Sequence, residues 1–235
     1  MRLTIIIPCY NEGKTIGTIL KKIVNLKQLE KQIIIIDDFS TDNSLSEIEK
    51  VKKNIFNDIV VIRHNKNLGK GGSIKSSQQF INGDVVIIQD ADLEYDPEDI
   101  PKLVMPIFDK KYQVVYGSRI LKKKYFENLK NFSHWIRILG NLFLTKFSNL
   151  INRQNLTDAH TCYKAFDANL FKKLELKENN FNFCPEVTTK ISNQGVKIHE
   201  VPISYRGRDY DEGKKIKLND AFKAIYCIIK YKFFL

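Results

Sequence analysis

Short apolar runs built from isoleucine and valine, each stopping abruptly at polar residues, constrain this chain more than any other feature. They lie at Leu3 to Ile7, Ile33 to Ile36, Ile59 to Ile62 and Val85 to Ile88. None alternates apolar with polar residues, so each is expected to be buried on both faces, as strands of a helix-covered parallel sheet are. Helical patterns fill the gaps. Thr15 to Leu26 sets Ile16, Ile19, Leu20, Ile23 and Val24 along one stripe, Asn43 to Lys53 follows the run at Ile33, and Gly71 to Ile81 follows the run at Ile59. This alternation predicts an α/β chain with a Rossmann-like, doubly wound, mostly parallel sheet. In such sheets ligands bind outside the carboxyl ends of the strands.

The residues at those ends are polar and chemically specific. "PCYNE" follows the first run, "DDFSTD" the second and "QDADLE" the run at Val85, while "GSR" (Gly117 to Arg119) follows a run ending at Tyr116. Asp90 and Asp92 are two residues apart, and in an extended chain both side chains point the same way, with Glu94 continuing that side. Such carboxylates repel one another unless a cation relieves them, and hard oxygen ligands suit Mg2+ or Mn2+, with substrate phosphates completing the shell. Asp96, Pro97, Glu98 and Asp99 read instead as a helix cap. Asp42 or Ser40 fits a cap too, whereas of the paired Asp37 and Asp38 one is suited to accept a hydrogen bond from a nucleobase N–H. "NLGKGG" (Asn67 to Gly72) resembles a phosphate-binding turn without the full P-loop pattern. Lys70 is then either a substrate contact or part of a glycine-rich helix start.

Composition sets outer limits. With 235 residues, 43% hydrophobic and 28% charged, the chain suits one α/β domain or two small ones. Lys and Arg outnumber Asp and Glu by 38 to 27, a net charge of +11, which favours anionic partners or is a solvated lysine-rich surface. Cys9, Cys162, Cys184 and Cys227 follow neither zinc nor disulfide spacing and are expected to be reduced thiols of a cytoplasmic protein. No apolar stretch approaches the roughly 20 residues of a membrane-spanning helix. Trp135 to Ile151 carries a broad apolar stripe, suited to core packing or to the lipid interface, and "FKAIYCIIKYKFFL" mixes lysines with aromatics as a membrane surface favours.

In order along the chain, "PCYNE", "DDFSTD", "GKGG", "DADLE", "YGSR", "DAHTCYK" and "EVPISYRGRDYDEGKKI" resemble the family 2 inverting glycosyltransferases of GT-A fold, and among them the dolichyl-phosphate or polyprenyl-phosphate mannosyltransferase and glucosyltransferase group. The resemblance spans Ile5 to about Lys215. It implies that Pro8, Tyr10 and Glu12 line a nucleotide pocket with Asp38 reaching the base, and that Asp90, Ala91, Asp92 and Glu94 form the metal and diphosphate site. Arg119 is implied to approach the donor phosphates or the acceptor phosphate. Arg208 and Lys214 match a basic motif closing over donor and acceptor, with "EGKK" leaving Lys215 as an alternative, and Asp158 matches an aspartate near the acceptor.

These implications set the functional expectations. Residues 1–215 form the transferase domain, and 216–235 an amphipathic basic helix for membrane contact. A hexose passes from GDP-mannose or UDP-glucose to a dolichyl or undecaprenyl phosphate, with Mg2+ or Mn2+ as cofactor. A phosphate acceptor, with a second pKa near ~6, is already a nucleophile at neutral pH. A sugar hydroxyl as acceptor, the alternative, requires a carboxylate base, with Asp158 or Glu186 as candidates. Attachment is expected to be peripheral, on the anionic cytoplasmic membrane face, or supplied by a membrane-protein partner. Nucleic-acid binding, suggested by charge alone, is disfavoured by carboxylates at several strand ends and by the lack of a recognised binding pattern.

Overall fold

The apolar runs become strands, and the polar residues that end them gather along one edge of a single sheet. The computed structural model describes residues 1–26, 29–56, 58–122, 132–207 and 219–234. Strands β1 (Arg2–Cys9), β2 (Glu30–Asp37), β3 (Ile59–Arg63), β4 (Val85–Ile88), β5 (Val114–Ser118), β6 (Lys164–Asp167) and β7 (His199–Pro202) are ordered β3-β2-β1-β4-β6-β5-β7. β1 is parallel to β2 and β4, β2 to β3, and β5 to β7. β6 runs antiparallel between β4 and β5. Helices α1 (Ile16–Val24), α2 (Ser44–Asn54), α3 (Gly69–Ser77), α4 (Ile100–Phe108), α5 (Phe132–Asn152), α6 (Ala168–Lys172), α7 (Phe183–Asn193) and α8 (Asn219–Phe233) complete it.

Burial explains the absence of alternation in the strands. Ile5, Ile7, Ile33, Ile35 and Ile87 pack against α1, α2 and α4 on one face. Their neighbours Ile6, Ile34, Ile36, Val86 and Ile88 pack against Ile74 of α3 and Phe183, Val187 and Ile191 of α7 on the other. Both parities are apolar because both faces are covered.

The reversed strand β6 is not apparent in the sequence, because its four residues begin with a lysine. Lys164 is fully buried; its Nζ donates to the Ala159 carbonyl at 2.9 Å and stands 3.6 Å from the Tyr116 ring centroid. Because β6 opposes its neighbours, the segment before it reaches the sheet edge where β4 and β5 end.

Helix α8 packs on α5 and α7. Ala224, Cys227, Ile228 and Tyr231 are its buried side, while Phe222, Tyr226 and Phe233 face outward. On α5, Leu139, Phe143 and Leu150 are likewise exposed, at 62%, 62% and 77%. Among the described residues, no helix is long and apolar enough to cross a membrane.

Candidate active site

The loops after β1 and β2 are tied together by small polar side chains. Asn11 donates its backbone N–H to Ser40 Oγ (3.0 Å) and accepts from the Thr41 N–H at Oδ1 (2.8 Å). The Glu12 N–H donates to Ser44 Oγ at 2.8 Å, and the Gly13 N–H to Asp42 Oδ2 at 2.9 Å. Asp42 Oδ1 also accepts from the Ser44 N–H at the start of α2 (2.9 Å). Burial alone would raise the Asp42 carboxyl, but these hydrogen bonds hold it below its ordinary value. Pro8 lies in β1 opposite Ile36, so the segment carrying Pro8, Tyr10 and Glu12 is held directly beside the β2 end.

Asp38 is committed to its own chain. Its Oδ1 accepts from the Leu68 N–H and its Oδ2 from the Gly69 N–H, both at 2.8 Å, and His64 Nδ1 lies 2.7 Å from Oδ1. The carboxylate thus caps α3, whose own N-cap residue Leu68 has no capping side chain. The Gly72 N–H donates to the Asn179 carbonyl at 2.9 Å. Within "NLGKGG" the Leu68, Gly69 and Gly72 amides are thus occupied by groups of the chain itself, and the segment forms the glycine-rich start of α3. Both Asp38 oxygens thus have internal partners, Oδ1 two and Oδ2 one, while Asp37 Oδ1 accepts from the Ser40 N–H at 3.2 Å. Asp37 Oδ2 is buried, 3.4 Å from Arg63 Nε, with no hydrogen-bond partner among the described residues.

The acidic segment after β4 is not extended, and the expected side-by-side carboxylates are corrected accordingly. β4 ends at Ile88, residues 91–94 turn, and Leu93 adopts φ +62°, a left-handed conformation that is costly for a branched side chain. The two-residue periodicity of a strand does not apply across such a turn. Asp90 forms a largely buried ion pair with the Lys70 ammonium. Burial pushes the Asp90 carboxyl up to about 7, the adjacent Cys162 adds to this, and Lys70 opposes it. Asp92 Oδ1 accepts from the Glu94 N–H (3.1 Å), and Glu94 Oε2 accepts from the Tyr205 hydroxyl (2.9 Å). Ala91 is buried beneath them. Among the described residues no three His, Cys, Asp or Glu side chains converge as a metal-binding group. The donors present fit a hard divalent cation held by one or two carboxylates and completed by phosphate oxygens, rather than an all-protein cage.

Asp96 caps the turn that begins at Pro97, as their order suggests, whereas the Asp99 side chain makes no capping bond. Asp96 Oδ1 accepts from the Glu98 N–H at 3.3 Å, and Asp99 is the N-cap of α4.

Arg119, just beyond β5, is gripped by Asp158. Nε donates to Oδ2 at 2.7 Å and Nη2 to Oδ1 at 2.8 Å, while Asn141 Nδ2 adds a bond to Oδ1 at 3.0 Å. Burial would raise the Asp158 carboxyl, but Arg119 and these hydrogen bonds bring it down to about 2. The Arg119 guanidinium carbon also stands 5.0 Å from the Tyr205 ring centroid. Tyr205 therefore joins the Glu94 and Arg119 halves, and Tyr95 packs against it at 5.1 Å. Glu186, the other candidate base, is fully buried on α7 and accepts from the Lys177 N–H (2.7 Å), the Glu178 N–H (2.9 Å) and Lys190 Nζ (2.8 Å). Arg208 and Lys214, with its alternative Lys215, lie outside the described residues.

Comparison with known sequences decides the family: the model of "Glycosyl transferase family 2" matches residues 4–175. The chain belongs to glycosyl transferase family 2. This family 2 glycosyltransferase is 29% identical to UDP-N-acetylglucosamine–dolichyl-phosphate N-acetylglucosaminyltransferase of Methanococcus voltae, over 97% of this chain and 95% of that one. It is 27% identical to dolichol-phosphate mannosyltransferase of Pyrococcus furiosus, over 99% of this chain and 65% of the longer relative. Among solved structures, glucosyl-3-phosphoglycerate synthase from Mycobacterium tuberculosis, in complex with Mn2+ and UDP, matches with a TM-score of 0.71 at 18% identity, covering 98% of this chain and 79% of that one. That likeness shows the fold, GT-A.

Several residues of this glycosyltransferase's site have no signal in the sequence read alone. His64 and Asn141 act as partners of Asp38 and Asp158, and such pairings are not visible in the chain order. Glu200 does carry a signal: it is an acidic residue inside the otherwise strand-like "IHEVPI".

Proposed function

We propose that this family 2 glycosyltransferase moves a hexose, or an N-acetylhexosamine, from a nucleotide-sugar donor to a polyprenyl phosphate in one inverting displacement. The observation that carries this reading is the state of the two carboxylates suited to be a base. Asp158 is locked to Arg119 and Glu186 to two backbone amides and Lys190, so neither is free to take a proton from a hydroxyl acceptor. A phosphate monoester needs no such base. The names of the two archaeal relatives, both acting with dolichyl phosphate, support the same acceptor class.

The chain's residues then divide the work. One of the paired Asp37 and Asp38 accepts from a nucleobase N–H, Asp38 through the remaining lone pair of Oδ2, and the Pro8–Glu12 segment flanks the nucleotide. Lys70, already beside Asp90, contributes positive charge at the diphosphate. A Mg2+ or Mn2+ ion held by Asp92, with Glu94 near it, would neutralise charge developing on the departing nucleoside diphosphate. Arg119 directs its remaining N–H groups to the acceptor phosphate, and Arg208 and Lys214 supply further positive charge for the two anions. Holding two anions together is the central task, because they otherwise repel.

The exposed stripes of α5 and α8 suit a peripheral membrane contact. Leu139, Phe143, Phe222 and Tyr226 are apolar and outward, and Lys146 and Lys223 beside them are exposed cations suited to anionic lipid. All four cysteines are free thiols, which agrees with a cytoplasmic location on that membrane, alone or with a membrane-protein partner. The test is a donor screen: the protein, Mn2+, and a panel of UDP- and GDP-sugars with or without a polyprenyl phosphate, read by the mass of the glycolipid formed. Glycosylation of oligosaccharide hydroxyls with no glycolipid would overturn the acceptor.

A further inference from the structure

We propose that Glu200 is a positioning residue for Arg119, acting through Asp158 and Thr157; this rests on the reading of Arg119 as the acceptor-phosphate ligand. Glu200 lies in β7 directly opposite Tyr116 of β5, three residues before Arg119. Its carboxylate leaves the strand and binds the loop that carries Asp158. Oε1 accepts from the Asp158 N–H at 2.9 Å, and Oε2 accepts from the Thr157 N–H at 2.6 Å and the Thr157 hydroxyl at 2.9 Å.

The bonds continue to both sides of Arg119. Because Thr157 gives its proton to Glu200, its oxygen is left to accept from the Ser118 hydroxyl, 2.6 Å away. Ser118 Oγ in turn accepts from the Leu121 N–H at 3.3 Å. One route therefore fixes the backbone of Asp158, whose side chain holds the guanidinium. The other fixes the backbone on either side of Arg119 itself. Three donors converge on one carboxylate, and this pattern is selective for an ionised acid: a carboxamide at the same place turns an N–H toward donors and loses at least one bond. Water could satisfy two loop amides equally well; what the carboxylate adds is a fixed direction for Arg119.

The consequence is a division between substrates. The Lys70–Asp90 pair and the Asp37 loop do not touch this chain of bonds, and the link to the donor side runs only through the Tyr205 ring and Glu94, so loosening Arg119 is expected to weaken the acceptor more than the donor. The test compares wild type, Glu200→Gln, Glu200→Asp and Thr157→Val in the full chain. It uses a short-chain polyprenyl phosphate as acceptor, with UDP-N-acetylglucosamine and GDP-mannose as donor probes. Glu200→Gln is expected to raise acceptor KM about tenfold with donor KM within about twofold. Glu200→Asp recovers part of the loss, and Thr157→Val, which keeps both backbone bonds, shows a smaller change of the same kind.

A second readout needs no substrate. The Arg119 Nε–H, slowly exchanging while paired to Asp158, gives a resolved NMR signal that broadens or vanishes in Glu200→Gln. Persistence of that signal with unchanged acceptor KM overturns the proposal, as does an equal rise in both KM values. If instead Arg119→Lys leaves acceptor KM unchanged, the assignment of Arg119 to the phosphate fails first, and the NMR signal alone decides whether Glu200 positions it. Should Glu200→Gln not fold, Thr157→Val carries the same two readouts: no change in either overturns the route through Ser118.

Discussion

Arg119 and Asp158 meet fork to fork, 39 residues apart in the chain, with the carboxylate fully buried. Removing the acid strands a shielded guanidinium, which typically costs about 3–5 kcal/mol. Asp158→Ala is therefore expected to lower the urea midpoint by a corresponding amount and to abolish transfer. A variant of wild-type stability would contradict the pairing.

The same pair sets a pH dependence. The Asp158 carboxyl falls from its ordinary value of 3.8 to about 2 in the folded chain. A depressed acid pKa contributes stability above the unfolded value, lost as pH falls through the folded one. The stability gap between wild type and Asp158→Asn is thus expected to be flat above about pH 5 and to shrink between about pH 4 and 2. Denaturant titrations of both proteins across that range provide the check, and a gap undiminished at the acid end refutes it.

Asp38 is expected to matter for order before chemistry. Asp38→Asn replaces one acceptor oxygen with a donor facing the Leu68 or Gly69 N–H, a loss of about 1–3 kcal/mol. Hydrogen exchange at those two amides should accelerate, and α3 should fray from its first turn. Unchanged protection at both positions would remove the capping role.

Asp92→Ala is expected to leave the fold intact, since Asp92 lies in a partly exposed turn outside the core. Transfer should fall by about 10²–10³ or more if developing charge loses its cation. Excess Mn2+ should not restore it. Near-normal turnover would show that the cation is not held there.

The outward faces of α5 and α8 give a membrane prediction. Phe143→Glu with Phe222→Glu should weaken cosedimentation with phosphatidylglycerol-containing vesicles about tenfold or more, as charge replaces apolar area at the interface. Turnover of a water-soluble short-chain acceptor should be unaffected. Equal loss in both assays would point to misfolding instead.

The parallel strands were legible because burial on both faces leaves an unbroken Ile and Val signature, and the observed β2 and β4 contain the expected runs. β6 was not, because a buried lysine opens it and the cation is satisfied by a carbonyl and a ring that only the fold supplies. At the site, residue types at the strand ends were readable, and the cap at Asp96 was too. Their directions were not. β4 ends at Ile88, before Asp90, and the turn over residues 91–94 with its left-handed Leu93 breaks the strand line of the acidic segment, and Asp38 bonds the first turn of α3. Local periodicity speaks for regular backbone, and active-site loops are where regular backbone ends.

The reversal of β6 has an evolutionary corollary. Residues 157–163 form one short stretch that touches Glu200 at its start, Arg119 at Asp158, Tyr95 through the Cys162 N–H (3.1 Å), and Gln89 through the Tyr163 hydroxyl. A handful of substitutions in that stretch can retune groups arriving from β4, β5 and β7 without disturbing the sheet. Chimaeras exchanging this segment alone would be the economical way to trade preferences between relatives.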